Sequence, residues 1–142
     1  MSLEQDLAKI ALQEQVLRFE RFDEQTAWEL GGRLHAAAEK RGAALAIDIF
    51  VGGHSVFACA LPGTSPNNSN WVRRKRNTVL HFHRSSYGFG LQLERDKADL
   101  AGKFGLPVSD YAVHGGSFPI RLVNARQTAR RMRVCKYSSP CA

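Results

Sequence analysis

His114-Gly115-Gly116-Ser117-Phe118-Pro119 is the stretch on which the reading of this chain turns. Paired glycines free the backbone from Cβ sterics, so here the chain can take positive φ or pass close to another group. The run Phe118-Pro119-Ile120-Arg121-Leu122-Val123 is mostly apolar and reads as a strand. Two readings of the glycines stand side by side: a tight turn feeding the strand, or a backbone wall against a ligand.

Upstream, Asp96 to Phe104 has the pattern of a short helix ended by Gly105 and Pro107, while Tyr87 to Glu94 fits neither period. Ser85-Ser86 breaks the helix before it. In that helix, which starts near Ser69 or Asn70, Trp71, Lys75, Val79 and Phe82 recur on one stripe, so Lys75 falls among apolar neighbours. Arg73, Arg74 and Arg76 lie off the stripe. The loop Pro62 to Asn68 is dense in turn formers.

Before the loop, Leu45, Ile47, Ile49 and Val51 alternate along residues 44–51, and Gly52-Gly53 turns the chain into His54 to Leu61, a β-hairpin. Ala27, Leu30, Leu34, Ala37 and Ala38 form the apolar stripe of a helix capped by Asp23 and closed by Gly42. Ser2 and Gln5 have the capping-box form for a first helix over residues 2–16, with an extended link from Val16 to Phe22 after it.

A length of 142 residues with 44% hydrophobic and 23% charged residues fits one globular domain. No apolar run is long enough for a membrane span, and the acidic start Met1 to Asp6 has no signal-peptide core, so a cytoplasmic location is expected. The three cysteines, Cys59, Cys135 and Cys141, form no C-x-x-C pair and suit a reducing compartment. The net charge of +7 is concentrated at the end: Arg126, Arg130, Arg131, Arg133 and Lys136 face no acid after Val123, leaving 15 basic and 13 acidic residues in 1–123. That distribution argues against a nucleic-acid partner.

Three constellations could carry chemistry. Trp71-Val72-Arg73-Arg74-Lys75-Arg76 sets four cations beside an indole. It is a solvated helix face with Lys75 snorkelling out, or an anion site. A lysine on an apolar stripe is costly to desolvate without a negative partner, such as a ligand carboxylate, a phosphate or Asp48 of the hairpin. The glycine segment is the second. In the third, His81-Phe82-His83, the histidines diverge by about 200° on a helix, which argues against a shared metal. No Ser-His-Asp signature, H-E-x-x-H, P-loop or G-x-G-x-x-G occurs, and Gly88-Phe89-Gly90 is too short for a phosphate loop.

Trp71-Val72-Arg73-Arg74-Lys75, Ser85-Ser86, and Tyr111 leading to His114-Gly115-Gly116-Ser117-Phe118-Pro119-Ile120 together resemble an uncharacterised branch of the GlcG-like, HbpS-like family often labelled "haem-degrading domain". The resemblance covers roughly residues 5–123. It implies an α/β fold of the α+β type, with an antiparallel sheet of about five strands flanked by helices in profilin-like layers, usually assembled as homo-oligomers. It also implies a single domain over residues 1–123 with an atypical basic tail over 124–142. Relatives would continue through a glycine turn into another strand and a final helix. The aperiodic ending here is what a shifted reading frame in a GC-rich gene encodes, so a frameshifted, truncated or divergent C-terminus is expected, with an exposed sheet edge and lowered stability.

The functional expectation is an oligomeric module that binds a small anionic ligand, with haem as one such ligand and no metal of its own. Its site residues are Trp71, Arg74, Lys75, His114, Gly115, Gly116 and Ser117. One alternative is an enzyme of the haem-degrading type using His114 or His83 as ligand, although no paired acid and base supports it. Another is an assembly component whose basic helix meets an acidic partner.

Overall fold

The computed structural model describes residues 2–123 in full and the backbone of 133–138. The expected basic tail therefore lies outside the described residues, apart from that one strand.

Helix α1 (Leu3–Val16) opens with the capping box: the Gln5 N–H donates to Ser2 Oγ at 3.3 Å and the Ser2 N–H to Gln5 Oε1 at 3.0 Å. The extended link holds a two-residue strand, β1 (Arg18–Phe19). Helix α2 (Glu24–Lys40) is capped by Asp23, whose carboxylate accepts the Thr26 N–H at 2.8 Å. The hairpin is β2 (Ala46–Val51) and β3 (His54–Ala60).

Helix α3 (Pro66–Phe82) starts before the expected Ser69. Proline is at home in a first helical turn, and Asn68 Oδ1 accepts the Ser65 N–H at 2.9 Å, so half of the apparent turn cluster is helix cap. The ambiguous stretch is helix α4 (Ser86–Arg95), begun by Ser85 Oγ accepting the Gly88 N–H at 3.1 Å. Helix α5 (Leu100–Phe104) is shorter than expected because Asp99 caps it. Strand β4 (Ser117–Leu122) comes directly after the glycine pair, and β5 (Arg133–Ser138) completes the order.

The fold is of the α+β type, and the strands run β1-β4-β5-β2-β3. Four of them, β4-β5-β2-β3, pair antiparallel, whereas β1 joins β4 in parallel at Arg18↔Arg121 and Phe19↔Leu122. The expectation of about five antiparallel strands is corrected to this mixed pattern. A parallel pair needs a long crossover, and residues 20–116 lie between β1 and β4. Strand β5 enters the middle of the sheet although nothing after Val123 alternates. Its place is set by its two edges, paired to β4 and β2, with α3 packed against it.

The two sheet faces differ. Toward α2, Ile47, Ile49 and Ile120 pack with Phe22, Ala27 and Ala38, all nearly or fully buried. Toward α3, the buried Asp48 carboxylate accepts Arg76 Nη1 at 2.8 Å and Ser55 Oγ at 2.5 Å, and the Arg76 guanidinium lies 4.5 Å from the Phe50 ring centroid. The hairpin carboxylate expected as a partner for Lys75 is therefore bound by Arg76. A third cluster joins α3, α4 and α5, where the Phe82 and Phe89 rings stack at 3.9 Å.

Candidate functional site

Helix α3 is fastened to the segment 108–114 by side chains that point along one of its edges. Arg73 donates to Asp110 Oδ1 at 3.0 Å and to the Ser109 carbonyl at 2.9 Å, and Asn77 Nδ2 donates to the Asp110 carbonyl at 2.8 Å. Arg74 Nε donates to the Val108 carbonyl at 2.9 Å. Below them, Thr78 Oγ1 donates to the Ala112 carbonyl at 2.8 Å and accepts the Ala112 N–H at 3.2 Å. These bonds set the approach of His114 to the helix. Its ring meets Trp71 edge to face with centroids 5.1 Å apart.

Trp71 gathers the cations of the same helix. The Arg74 guanidinium lies 4.3 Å from the indole centroid and Lys75 Nζ 5.8 Å from it. Lys75 is only 3% exposed, so the stripe periodicity that places it among Val79 and Phe82 describes its burial correctly. Trp71, Arg74, Lys75 and His114 thus form one cluster.

Gly115, Gly116 and Ser117 belong to a second feature that begins one residue later. They line a cavity of about 570 Å³ together with Phe118, Pro119, Ile120, Leu30 and Leu34, and with residues of α1 and α4. Gly116 has φ 118°, a conformation that favours glycine over every residue with a side chain. The glycine pair turns the chain into β4, and both glycines also line the cavity. Described residues of the wall include no lysine or arginine; its polar side chains are Gln13, Ser85, Tyr87 and Ser117.

Ser85, Tyr87 and α1 are wall residues that motif reading did not find. Ser85 carries a signal in hindsight, since a Ser-Ser pair can cap a helix as well as end one. Its N–H donates to Glu14 Oε1 at 2.7 Å, and Arg121 Nη1 donates to the Glu14 carbonyl at 3.1 Å, so α1, α4 and β4 are tied beside the cavity. Glu14 itself is 5% exposed. A lone glutamate in an amphipathic helix gives no warning of such a contact.

His81 contacts the Phe82 and Tyr111 rings and His83 ends α3 at φ 59°, so each does separate work. Among the described residues no group of three His, Cys, Asp or Glu side chains could hold a metal ion, and no helix is long and apolar enough to cross a membrane.

A small α+β protein with an apolar cavity walled by a glycine-led strand, the residue before those glycines packing on a cationic helix, is the class these features define. The chain belongs to the family described as "Haem degrading protein HbpS-like", matched over residues 22–129. A UPF0303 protein of Burkholderia ambifaria is 53% identical over 125 residues, covering 88% of this chain and 76% of the relative. Among solved structures, the protein Ybr137w is 26% identical with a TM-score of 0.84, covering 94% of this chain and 76% of its own. The crystal structure of HbpS shares the fold at 14% identity and a TM-score of 0.60, over 86% of this chain and 79% of its own.

The family description raises haem, and the cavity wall is the test. No histidine, cysteine or methionine is among its described residues, and the Tyr87 phenol is its one group of a type that ligates haem iron. His114 stands next to the wall but turns its ring to Trp71. The described wall suits an apolar group better than it suits an iron centre.

Proposed function

We propose that this chain is a small-molecule-binding module whose ligand has an apolar body and an acidic group. The body fills the cavity between α1, α2, α4 and β4, and the acidic group reaches toward Lys75 and Arg74 past His114. One observation carries this reading: consecutive residues of a single segment serve both features, with His114 against Trp71 and Gly115 to Ser117 in the cavity wall. A volume of about 570 Å³ falls inside the range of small-ligand sites, and a mostly apolar wall with few polar groups is how such sites are built. Trp71, Arg74, Lys75, His114, Gly115, Gly116 and Ser117 are its binding residues.

In this reading the module binds its ligand without chemistry; the described wall residues include no paired acid and base. Exposed Leu12, Val16 and Leu17 on α1 and its end support assembly of several copies, because apolar side chains clustered there gain by being covered. Native mass spectrometry of the purified protein tests both parts, reporting subunit number and any retained ligand. A Leu34→Trp variant, which fills the cavity, is expected to release that ligand. Retention of the same mass by this variant would place the ligand elsewhere.

Haem is the second reading, favoured by the family and by the size of the cavity. If the apolar body dominates recognition, iron-free protoporphyrin binds within about two-fold of haem in an absorbance titration. A haem preference of ten-fold or more would show that an iron ligand is supplied after all.

A further inference from the structure

The cavity wraps around an open strand edge. Among the described residues strand β1 pairs with β4 only at Arg121 and Leu122, and no described strand lies beside Ser117 to Ile120 on that side. Strand geometry assigns the exposed groups. Backbone N–H and C=O of alternate residues point the same way, and the Val123 N–H donates to the Phe19 carbonyl across the β1 side at 2.8 Å. Residues 117, 119, 121 and 123 therefore direct their backbone polar groups toward β1 and the cavity, and 118 and 120 direct theirs to β5.

On that edge, the Ser117 N–H donates to Ser86 Oγ at 3.1 Å, and Ser86 Oγ lies 3.4 Å from the Ser117 carbonyl. Pro119 has no N–H to offer, so what it presents to the same side is a carbonyl alone. The other wall group is the Ser117 hydroxyl. Ser117 is 2% exposed, and its Oγ is the buried side-chain polar atom without a hydrogen-bond partner among the described residues. Buried polar atoms are nearly always satisfied, so an orphan in the wall of a cavity marks where a ligand atom belongs. Around both groups the wall is hydrocarbon from Ile10, Leu17, Leu30 and Phe118.

We infer that the open edge of β4 selects, within the cavity, a ligand whose apolar body carries a hydrogen-bond donor, an N–H or O–H that meets the Pro119 carbonyl and the Ser117 hydroxyl. This rests on the cavity being the binding site and adds the chemistry by which it chooses. An apolar ligand with no donor leaves the buried Ser117 hydroxyl oxygen, which has no partner among the described residues, unmet. Sites built to bond a donor reject analogues that lack it far more strongly than they reject a change of one methylene.

Indole and benzofuran are the probes, equal in shape and differing in N–H against ring oxygen. Each is titrated into the full chain by protein-observed NMR, with the amide signals of Gly115, Gly116 and Phe118 reporting location. The expected result is an indole Kd at least ten-fold below that of benzofuran, with shifts at those amides. In Ser117→Ala, with the unfolding midpoint unchanged, that preference falls at least three-fold. Equal affinities with shifts at those amides overturn the donor rule while leaving the cavity as the site. Shifts at those amides with neither probe overturn the cavity reading itself. A preference undiminished in Ser117→Ala overturns the part assigned to the hydroxyl.

Discussion

The two faces of the sheet are stabilised by different chemistry. Against α2 the contacts are hydrocarbon, with Ile47, Ile49 and Ile120 closed over by Phe22, Ala27 and Ala38. Against α3 the buried groups include Asp48 and Thr78, held by directed bonds, and Lys75, whose ammonium lies near the Trp71 ring. An apolar face tolerates small shifts, because dispersion and burial are not directional. A polar face demands particular geometry, and losing one partner leaves another buried and unpaired. The face that joins the cationic cluster and the His114 segment is the polar one, so positions there are fixed more tightly than burial alone would fix them.

The largest expected loss is on the apolar face. Ile49→Ala, at a fully buried position, should lower the unfolding free energy by about 3 to 4 kcal/mol in a urea titration, the usual cost of such a cavity. A value under about 1 kcal/mol would mean that α2 collapses into the gap. On the polar face, Asp48→Ala strands the Arg76 guanidinium and should cost about 3 kcal/mol, as broken buried pairs do. The pair sharpens the contrast: Asp48→Leu with Arg76→Met should recover most of that loss. Additive losses in the double variant would show that the ion pair contributes little.

The join between α4 and the segment before His114 comes next. A Cβ on Gly90 would stand 2.2 Å from the Val113 carbonyl oxygen, a backbone atom that cannot swing away. Gly90→Ala should therefore cost about 2 kcal/mol by overpacking, and amide signals from Val113 to Gly116 should move. An unchanged midpoint with unmoved amides would show that the two segments are not in contact.

The smallest effect is at the cap of α2. Bonds from the Thr26 N–H and hydroxyl hold the exposed Asp23 carboxyl below its ordinary pKa. A lowered folded-state pKa means that the stabilisation is present above the unfolded value, about pH 4, and is lost as pH falls through the folded one. Asp23→Ala should thus lower the thermal midpoint slightly at pH 7, with the difference from the parent chain closing as pH falls below about 4. A gap that widens on acidification would reverse the assignment.

Legibility in the sequence divides along the same line. The α2 stripe, the β2–β3 hairpin and the entry into β4 announce themselves because hydrophobic burial imposes a period, and Asp23 and Ser2 because capping imposes a spacing. Burial of Lys75 is readable for that reason too. Its neighbourhood is not, since the Trp71 to His114 contact joins residues far apart in the chain through bonds that leave no period. Strand β5 and the helix at Ser86–Arg95 are hidden by the converse problem, a stretch of sequence without a clear period. Of the residues proposed for binding, motif reading singles out both groups but gives no sign that a cavity lies beside only one of them. The α1 contribution through Glu14 gives no signal.

Strand β5 also has a consequence for how the chain comes to be folded. It is the last of the described elements to be synthesised, yet it lies between β4 and β2 and supplies the pairing that joins them. Until residues 133–138 have left the ribosome, the hairpin and β4 are two separate pieces, each with an unpaired side. The sheet therefore closes in one late step through contacts distant in sequence, the kind that folds slowly and leaves strand edges open to other chains meanwhile. A nascent chain of this protein exposes most unpaired strand edge in the interval between finishing β4 and releasing β5.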